Sequence, residues 1–249
     1  RDFGQSFGNL TIPAEYTKDG KVHVVQNDKE FFKYMDLEKI PNKKMKEDIK
    51  KMFLTSCELL KANADELSEI DSKFGDGDHG ITIVKIANAI EKDIENWDSG
   101  TSIKEFIDNL GMSAMGVNGG SAGPLWGSWI SGLAIGIPEG AEELNEQIIK
   151  DMFAASLEEM NDVSGAKVGD KTMMDTFIPA VEAIAASDSD IKGMFKEAAA
   201  AANQGCEDTK NYISKFGRAK SYKEKTLGFK DAGAVSMNLL FQGFAKSFE

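Results

Sequence analysis

Residues 75–80 read Gly75-Asp76-Gly77-Asp78-His79-Gly80, in form the Gly-x-Gly-x-x-Gly fingerprint of a dinucleotide-binding α/β sheet. Glu95 even stands at the spacing of the ribose-binding acid in that motif. Two features exclude it. The fingerprint must follow a buried strand, and Ala64 to Phe74 contains no β-branched run. Its variable positions here are aspartates, which would face a pyrophosphate with like charge. A calcium loop is excluded as well, because no glutamate closes a twelve-residue loop begun at Asp71 or Asp76.

With Asp71 just upstream, three carboxylates fall within eight residues and glycines separate them. Two unit charges about 4 Å apart repel by roughly 4 kcal/mol at an effective dielectric near 20, so converging carboxylates need a cation or must spread into solvent. A short glycine-permitted turn at a helix start suits Mg²⁺, which takes one or two carboxylates together with phosphate oxygens. The other reading of the same residues is a solvated acidic turn.

The bulk of the chain narrows the partners. It has 249 residues, 41 of them acidic and 29 basic, for a net charge of -12. No basic stripe offers itself to nucleic acid. No apolar run approaches the roughly 20 residues that span a bilayer, so no membrane association is expected. Cys57 and Cys206 stand far apart and read as small core residues in a reducing, cytoplasmic setting.

Residues 1–42 and 43–249 differ in character. The first stretch is Gly- and aromatic-rich, with Asp19-Gly20 between Tyr16-Thr17 and Val22-His23-Val24-Val25, a hairpin signal. A short amphipathic helix through Phe31, Phe32, Met35 and Leu37 is expected next, capped by Asp28 and ended before Pro41. From residue 43 helical periodicity takes over. Eight segments are expected, at about 44–67, 80–96, 102–115, 121–136, 142–162, 171–187, 190–213 and 232–248. In the first, Met45, Ile49, Met52, Phe53, Cys57, Leu60 and Leu67 recur near i, i+3, i+4 spacing. Strand alternation is missing, which points to an all-α antiparallel bundle or barrel.

The unusual residues sit at the connections between segments. Gly116-Val-Asn118-Gly119-Gly120-Ser121-Ala122-Gly123-Pro124 would let backbone amides approach a phosphate where segment 121–136 begins, or would merely allow close helix packing. Gly165-Ala-Lys167-Val-Gly169-Asp170-Lys171-Thr172 comes near a P-loop and misses it. Three residues rather than four separate the glycines, Asp170 intervenes before Lys171, and no strand precedes. Asp170 and Thr172 are candidate caps for segment 171–187. Gly217-Arg218-Ala219 and Thr226-Leu-Gly228-Phe-Lys-Asp231-Ala-Gly233 lead into the last segment, with Arg218 a candidate phosphate partner.

These motifs in this order resemble the L subunit of dihydroxyacetone kinase, the nucleotide-binding component, over about residues 44–249. The resemblance implies an eight-helix antiparallel barrel with the nucleotide at one rim. It implies that Asp71, Asp76 and Asp78 hold two Mg²⁺ ions bridging the phosphates of ADP or ATP. His79, Gly80 and Thr82 match the nucleotide-contacting helix start, and Gly119, Gly120, Ser121 and Ala122 the phosphate loop. Gly165 and Met173 match pocket positions; Arg218, Asp231, Ala232 and Gly233 complete the set.

Two kinds of kinase share this domain. In the phosphotransferase-system kind, bound ADP is rephosphorylated by a phosphohistidine carrier (the M-type subunit). The resulting ATP then phosphorylates dihydroxyacetone held on a K-type subunit. In the other kind, K and L domains share one chain and ATP exchanges freely. Histidine after the last aspartate, His79 here, resembles the first kind. No covalent nucleophile and no catalytic side chain are expected, and His79 is read as a hydrogen-bonding residue rather than a phosphorylated one.

The sequence departs from the family pattern at Ala122 (often serine), Phe229-Lys230 (usually His-Gln), Ala232 (proline) and Lys223 (glycine). Those departures leave open a regulatory module that senses nucleotide without transferring a phosphoryl group. A homodimer is likewise left open.

Overall fold

The computed structural model describes residues 14–18, 21–25 and 43–249, apart from 99 and 142. The chain divides into two compact units, Arg1–Lys43 and Lys44–Glu249. In the first, β1 (Ala14–Lys18) pairs antiparallel with β2 (Lys21–Val25), Ala14 opposite Val25 and Tyr16 opposite His23. The expected Asp19-Gly20 turn and the helix through Phe31 to Leu37 lie outside the described residues.

The second unit is helical. Its elements are α1 (Lys43–Ala62), α2 (Ala64–Ser72), α3 (His79–Glu95), α4 (Ile103–Met115), α5 (Ala122–Ile135), α6 (Glu146–Ser164), α7 (Met174–Ala186), α8 (Ile191–Asp208) and α9 (Ala232–Ser247). Short 3₁₀ turns at Thr209–Asn211 and Arg218–Thr226 join α8 to α9. Helices adjacent in sequence from α2 to α9 pack against one another, and α9 returns to α2 and α3. The neighbour sequence therefore closes on itself as an antiparallel helical barrel.

Local chemistry sets most helix ends. Ser102 accepts from the amide of Glu105 and Asn145 from that of Ile148; Asp190 does the same for Gly193 and Asp231 for Ala234. Inside the barrel the apolar stripes meet in an aromatic core. Trp129 packs against Phe53, Phe177 and Phe244, and Phe153 against Phe195, Phe241 and Phe244. Cys57 and Cys206 lie in this core, and burial pushes both thiols up to about 12, so neither acts as a nucleophile.

The helices depart from the expected segments in several places: α6 begins at Glu146 rather than 142, α8 ends at Asp208 rather than 213, and two further departures have a visible local cause. The first expected segment is broken at Asn63, whose side-chain amide donates to the Leu59 carbonyl at 2.7 Å. The Asn63 backbone itself departs from helical values, with φ of -108° and ψ of 14°, although its amide still donates to the Leu59 carbonyl at 3.2 Å. α7 begins at Met174 rather than at 171, because Lys171 adopts a left-handed backbone with φ of 60°.

Candidate nucleotide and metal site

The acidic turn joins α2 to α3, and its geometry follows from Asp71 in the last turn of α2. The Asp71 carbonyl accepts from Gly75 N at 2.7 Å, while its carboxylate accepts from Asp78 N at 3.1 Å. The chain is thereby folded back so that Asp76 and Asp78 return to Asp71. One carboxylate oxygen from each of the three lies within 4.8 Å of the others. Asp78 is the N-cap of α3, yet its side chain makes no capping bond. This all-oxygen, multiply charged donor set fits a hard divalent cation of the Mg²⁺ class. Arg218 forms an ion pair with Asp76 from the opposite side, supplying positive charge to the cluster.

Gly80 explains why α3 can start so close to α2. A Cβ there would stand 1.8 Å from the Ala64 carbonyl oxygen, and its amide donates to Ser68 Oγ at 3.2 Å. The neighbouring His79 faces α9, with Nε2 3.0 Å from Ser236 Oγ. Burial holds the imidazole pKa below the ordinary histidine value, against the opposing charges of Asp71 and Asp78. His79 is therefore neutral at pH 7 and ties the first turn of α3 to α9.

These groups open on a cleft of about 630 Å³. On one side lie Asp71, Asp76, Asp78 and His79. Gly119, Gly120, Ser121 and Ala122, where α5 begins, line the same cleft, as do Met173, Arg218, Asp231, Ala232 and Gly233. Ser121 is the N-cap of α5 but makes no side-chain cap bond, so its hydroxyl is not engaged by the helix it starts. The amides of that first turn lack helical partners, and the helix dipole adds positive potential there. An acidic turn and a helix N-terminus that line one cleft can hold a cation and an anion side by side.

Three of the expected positions do not line the cleft. Gly80 sits behind the acidic turn. Thr82 is buried beneath the phosphate-loop candidate, and a Cβ on Gly119 would fall 2.2 Å from its Oγ1. Gly165 caps the C-terminus of α6 at φ of 61°, while its neighbours Ser164 and Ala166 reach the cleft.

The Gly165–Thr172 loop differs from its reading as a helix cap. Asp170 does not cap α7: one of its oxygens accepts from Lys167 N at 3.0 Å and the other pairs with Lys215 Nζ at 2.7 Å. Asp175, fully buried in the first turn of α7, instead holds the loop, accepting from Gly169 N at 2.6 Å and Thr172 N at 2.7 Å, both ahead of the helix. Thr172 does cap, its Oγ1 accepting from Met174 N at 3.1 Å.

Several residues here have roles that the motifs did not announce. Lys171 is 3% exposed and bonded to three backbone carbonyls. Phe74 on the acidic turn packs edge-on against Tyr222 and Phe229, with both centroid distances 5.3 Å. The Phe229 departure is thus part of a contact between the acidic turn and the stretch that leads from the 3₁₀ segment into α9. Lys230 pairs with Glu207. Only the aromatic character of Phe74, Tyr222 and Phe229 could have signalled their contact from sequence.

Comparison with known proteins places this chain in a family. A family model described as the DAK2 domain matches residues 73–246. The chain is 30% identical over 196 residues to the "PEP-dependent dihydroxyacetone kinase 2, ADP-binding subunit DhaL" of Listeria innocua serovar 6a, across 76% of this chain and 90% of that protein. It is also 30% identical over 217 residues to the dihydroxyacetone kinase of Pichia angusta, across 80% of this chain and 34% of that one. The crystal structure of the dihydroxyacetone kinase from C. freundii in complex with AMP-PNP and Mg²⁺ has a TM-score of 0.62 at 24% identity. That match covers 80% of this chain and 33% of the other, and it shows the fold alone. The chain thus spans most of the L-type subunit but about a third of the longer kinases. A family match over residues 73–246, together with a relative covered for 90% of its length, makes this chain a member of the DAK2 domain family.

Proposed function

We propose that residues 43–249 form the nucleotide-binding component of a dihydroxyacetone-kinase-type phosphotransferase, with residues 1–42 outside the family core. One observation carries the reading. Three carboxylate oxygens within 4.8 Å of one another share a cleft with the N-terminus of α5, an arrangement suited to a nucleotide phosphate bridged to Mg²⁺.

Asp71, Asp76 and Asp78 would hold the metal, two ions in the full arrangement. Magnesium bound there neutralises charge on the transferring phosphoryl group. The amides from Gly119 to Gly123 and the Arg218 guanidinium would orient the phosphates of ADP or ATP. Met173, Asp231, Ala232 and Gly233 would border the nucleoside. His79 contributes position rather than a phosphohistidine, and the nucleotide is itself the phosphoryl carrier. The acceptor is a small ketose of the dihydroxyacetone class held on a K-type partner. In the phosphotransferase-system reading the donor is a phosphohistidine carrier subunit, and the setting is the cytoplasm. The Listeria relative, a PEP-dependent subunit matched over 90% of its length, supports that reading.

A second reading, an L-type domain that exchanges free ATP, is supported by the Pichia relative, which is a longer kinase. Denaturing the purified protein and identifying any released nucleotide separates the two. Stoichiometric ADP supports the cofactor reading. An empty site that binds ATP only weakly supports the exchanging kind. Failure to bind any adenine nucleotide with Mg²⁺ refutes both.

A further inference from the structure

Lys171, in the Gly-Asp-Lys-Thr loop, is a buried lysine whose chemistry the proposed nucleotide site does not use. Its ammonium lies 2.6 Å from the Thr209 carbonyl, 2.8 Å from that of Thr226 and 2.5 Å from that of Phe229. An ammonium has three N–H donors, and three carbonyls take them all. None is left for a phosphate, although Lys171 borders the cleft. Among the described residues no carboxylate lies within 4.0 Å of it, so it is not one half of a direct ion pair.

The three acceptors come from one stretch. Thr209 follows α8, Thr226 ends the 3₁₀ segment that begins at Arg218, and Phe229 leads into α9. The backbone supports the same reading. Lys171 is held at φ of 60°, a conformation unfavourable for a residue with a side chain, which persists only where surrounding bonds over-determine it. Further bonds seat the same stretch on its surroundings. Lys215 donates from its amide to the Asp170 carbonyl at 3.1 Å and from Nζ to Asp170 Oδ1 at 2.7 Å.

We propose that Lys171 is the positioning residue of this site, fixing the stretch from Thr209 to Phe229 so that Arg218 is presented to the aspartate cluster. The inference rests on the nucleotide reading for its purpose but not for its geometry.

The test uses the full chain carrying Lys171→Met, with Lys171→Gly as a second variant for which φ of 60° is unstrained. Amide hydrogen exchange needs no nucleotide. Exchange across residues 209–231 should accelerate about tenfold or more in a folded variant, with α3, α4 and α5 unchanged. Unchanged exchange in 209–231, or loss of the whole helical fold in both variants, overturns the proposal. A double-mutant cycle with Arg218→Ala then reads ADP affinity in Mg²⁺. Each single variant should weaken binding about tenfold, and the double variant should be little weaker than the worse single one. Additive losses would mean that Lys171 does not act through Arg218. Wild-type protein that binds no ADP would sink the nucleotide reading and leave the exchange result to judge the anchor.

Discussion

Arg218 and Asp76 form an ion pair across the mouth of the cleft, joining the 3₁₀ segment to the acidic turn. Asp76 belongs at once to this pair and to the three-carboxylate cluster. A cation bound by the cluster competes with the guanidinium for the same carboxylate, which would free Arg218 to meet a phosphate. The aspartates should therefore be needed for ligand binding and not for folding. Asp76→Ala or Asp78→Ala is expected to abolish Mg²⁺-dependent ADP retention while leaving far-ultraviolet circular dichroism unchanged, since both residues lie outside the core. Calorimetric titration with ADP and Mg²⁺ checks it. Wild-type affinity in either variant would refute the metal assignment.

Removing the metal should act on stability through mass action. A ligand at about 100 times its dissociation constant stabilises the native state by about 2.7 kcal/mol, which for a chain of this size corresponds to roughly 5–10 °C in Tm. ADP with Mg²⁺ should produce such a rise in a thermal melt, and EDTA should reverse it. A rise that persists in EDTA would place the affinity in the nucleoside contacts instead of the phosphate and metal.

The barrel was legible because each helix buries a stripe at i, i+3, i+4 spacing, as Met45, Ile49, Met52 and Phe53 do on α1. The break at Asn63 was not, since it lies in the backbone angles of a single residue, φ of -108° and ψ of 14°, which the apolar stripe does not report. The aspartate cluster could be read because its three members fall within eight residues. Lys171 could not. Its partners are backbone carbonyls 38, 55 and 58 residues away, and a carbonyl leaves no mark on the identity of its residue. For the same reason Asp175 was overlooked in favour of Asp170. Asp175 reaches back from the first turn of α7 to two loop amides, a role that its place after Thr172 does not announce.

Lys223 sits inside the Arg218–Thr226 segment at φ of 49° and ψ of -128°, backbone that only glycine adopts freely. It stands where the family resemblance has glycine. Strain of this kind costs about 1–3 kcal/mol. Lys223→Gly should therefore stabilise the protein by about 1 kcal/mol, part of the relief being offset by the greater backbone freedom of glycine when unfolded. Urea denaturation should show a higher midpoint with an unchanged slope. A lower midpoint would mean that the Lys223 side chain contributes more than its backbone costs.

Asp231 links the cleft to α9, capping the helix through Ala234 N at 2.9 Å. Burial raises its carboxyl to about 6, against the cap bond that lowers it and with Asp175 adding to the rise. The folded state therefore holds a proton that the unfolded chain releases near pH 4. Between about pH 4 and 6 the native state binds more protons, so this group makes stability fall as pH rises, by at most about 1.4 kcal/mol per pH unit. Above pH 6 the loss is complete and the slope from Asp231 vanishes. Asp231→Asn keeps a capping oxygen and removes the titration. Urea midpoints measured from pH 4 to 7 should show wild type losing stability relative to Asp231→Asn across that window. Parallel curves would place the Asp231 carboxyl at its ordinary value and remove burial as the force acting on it.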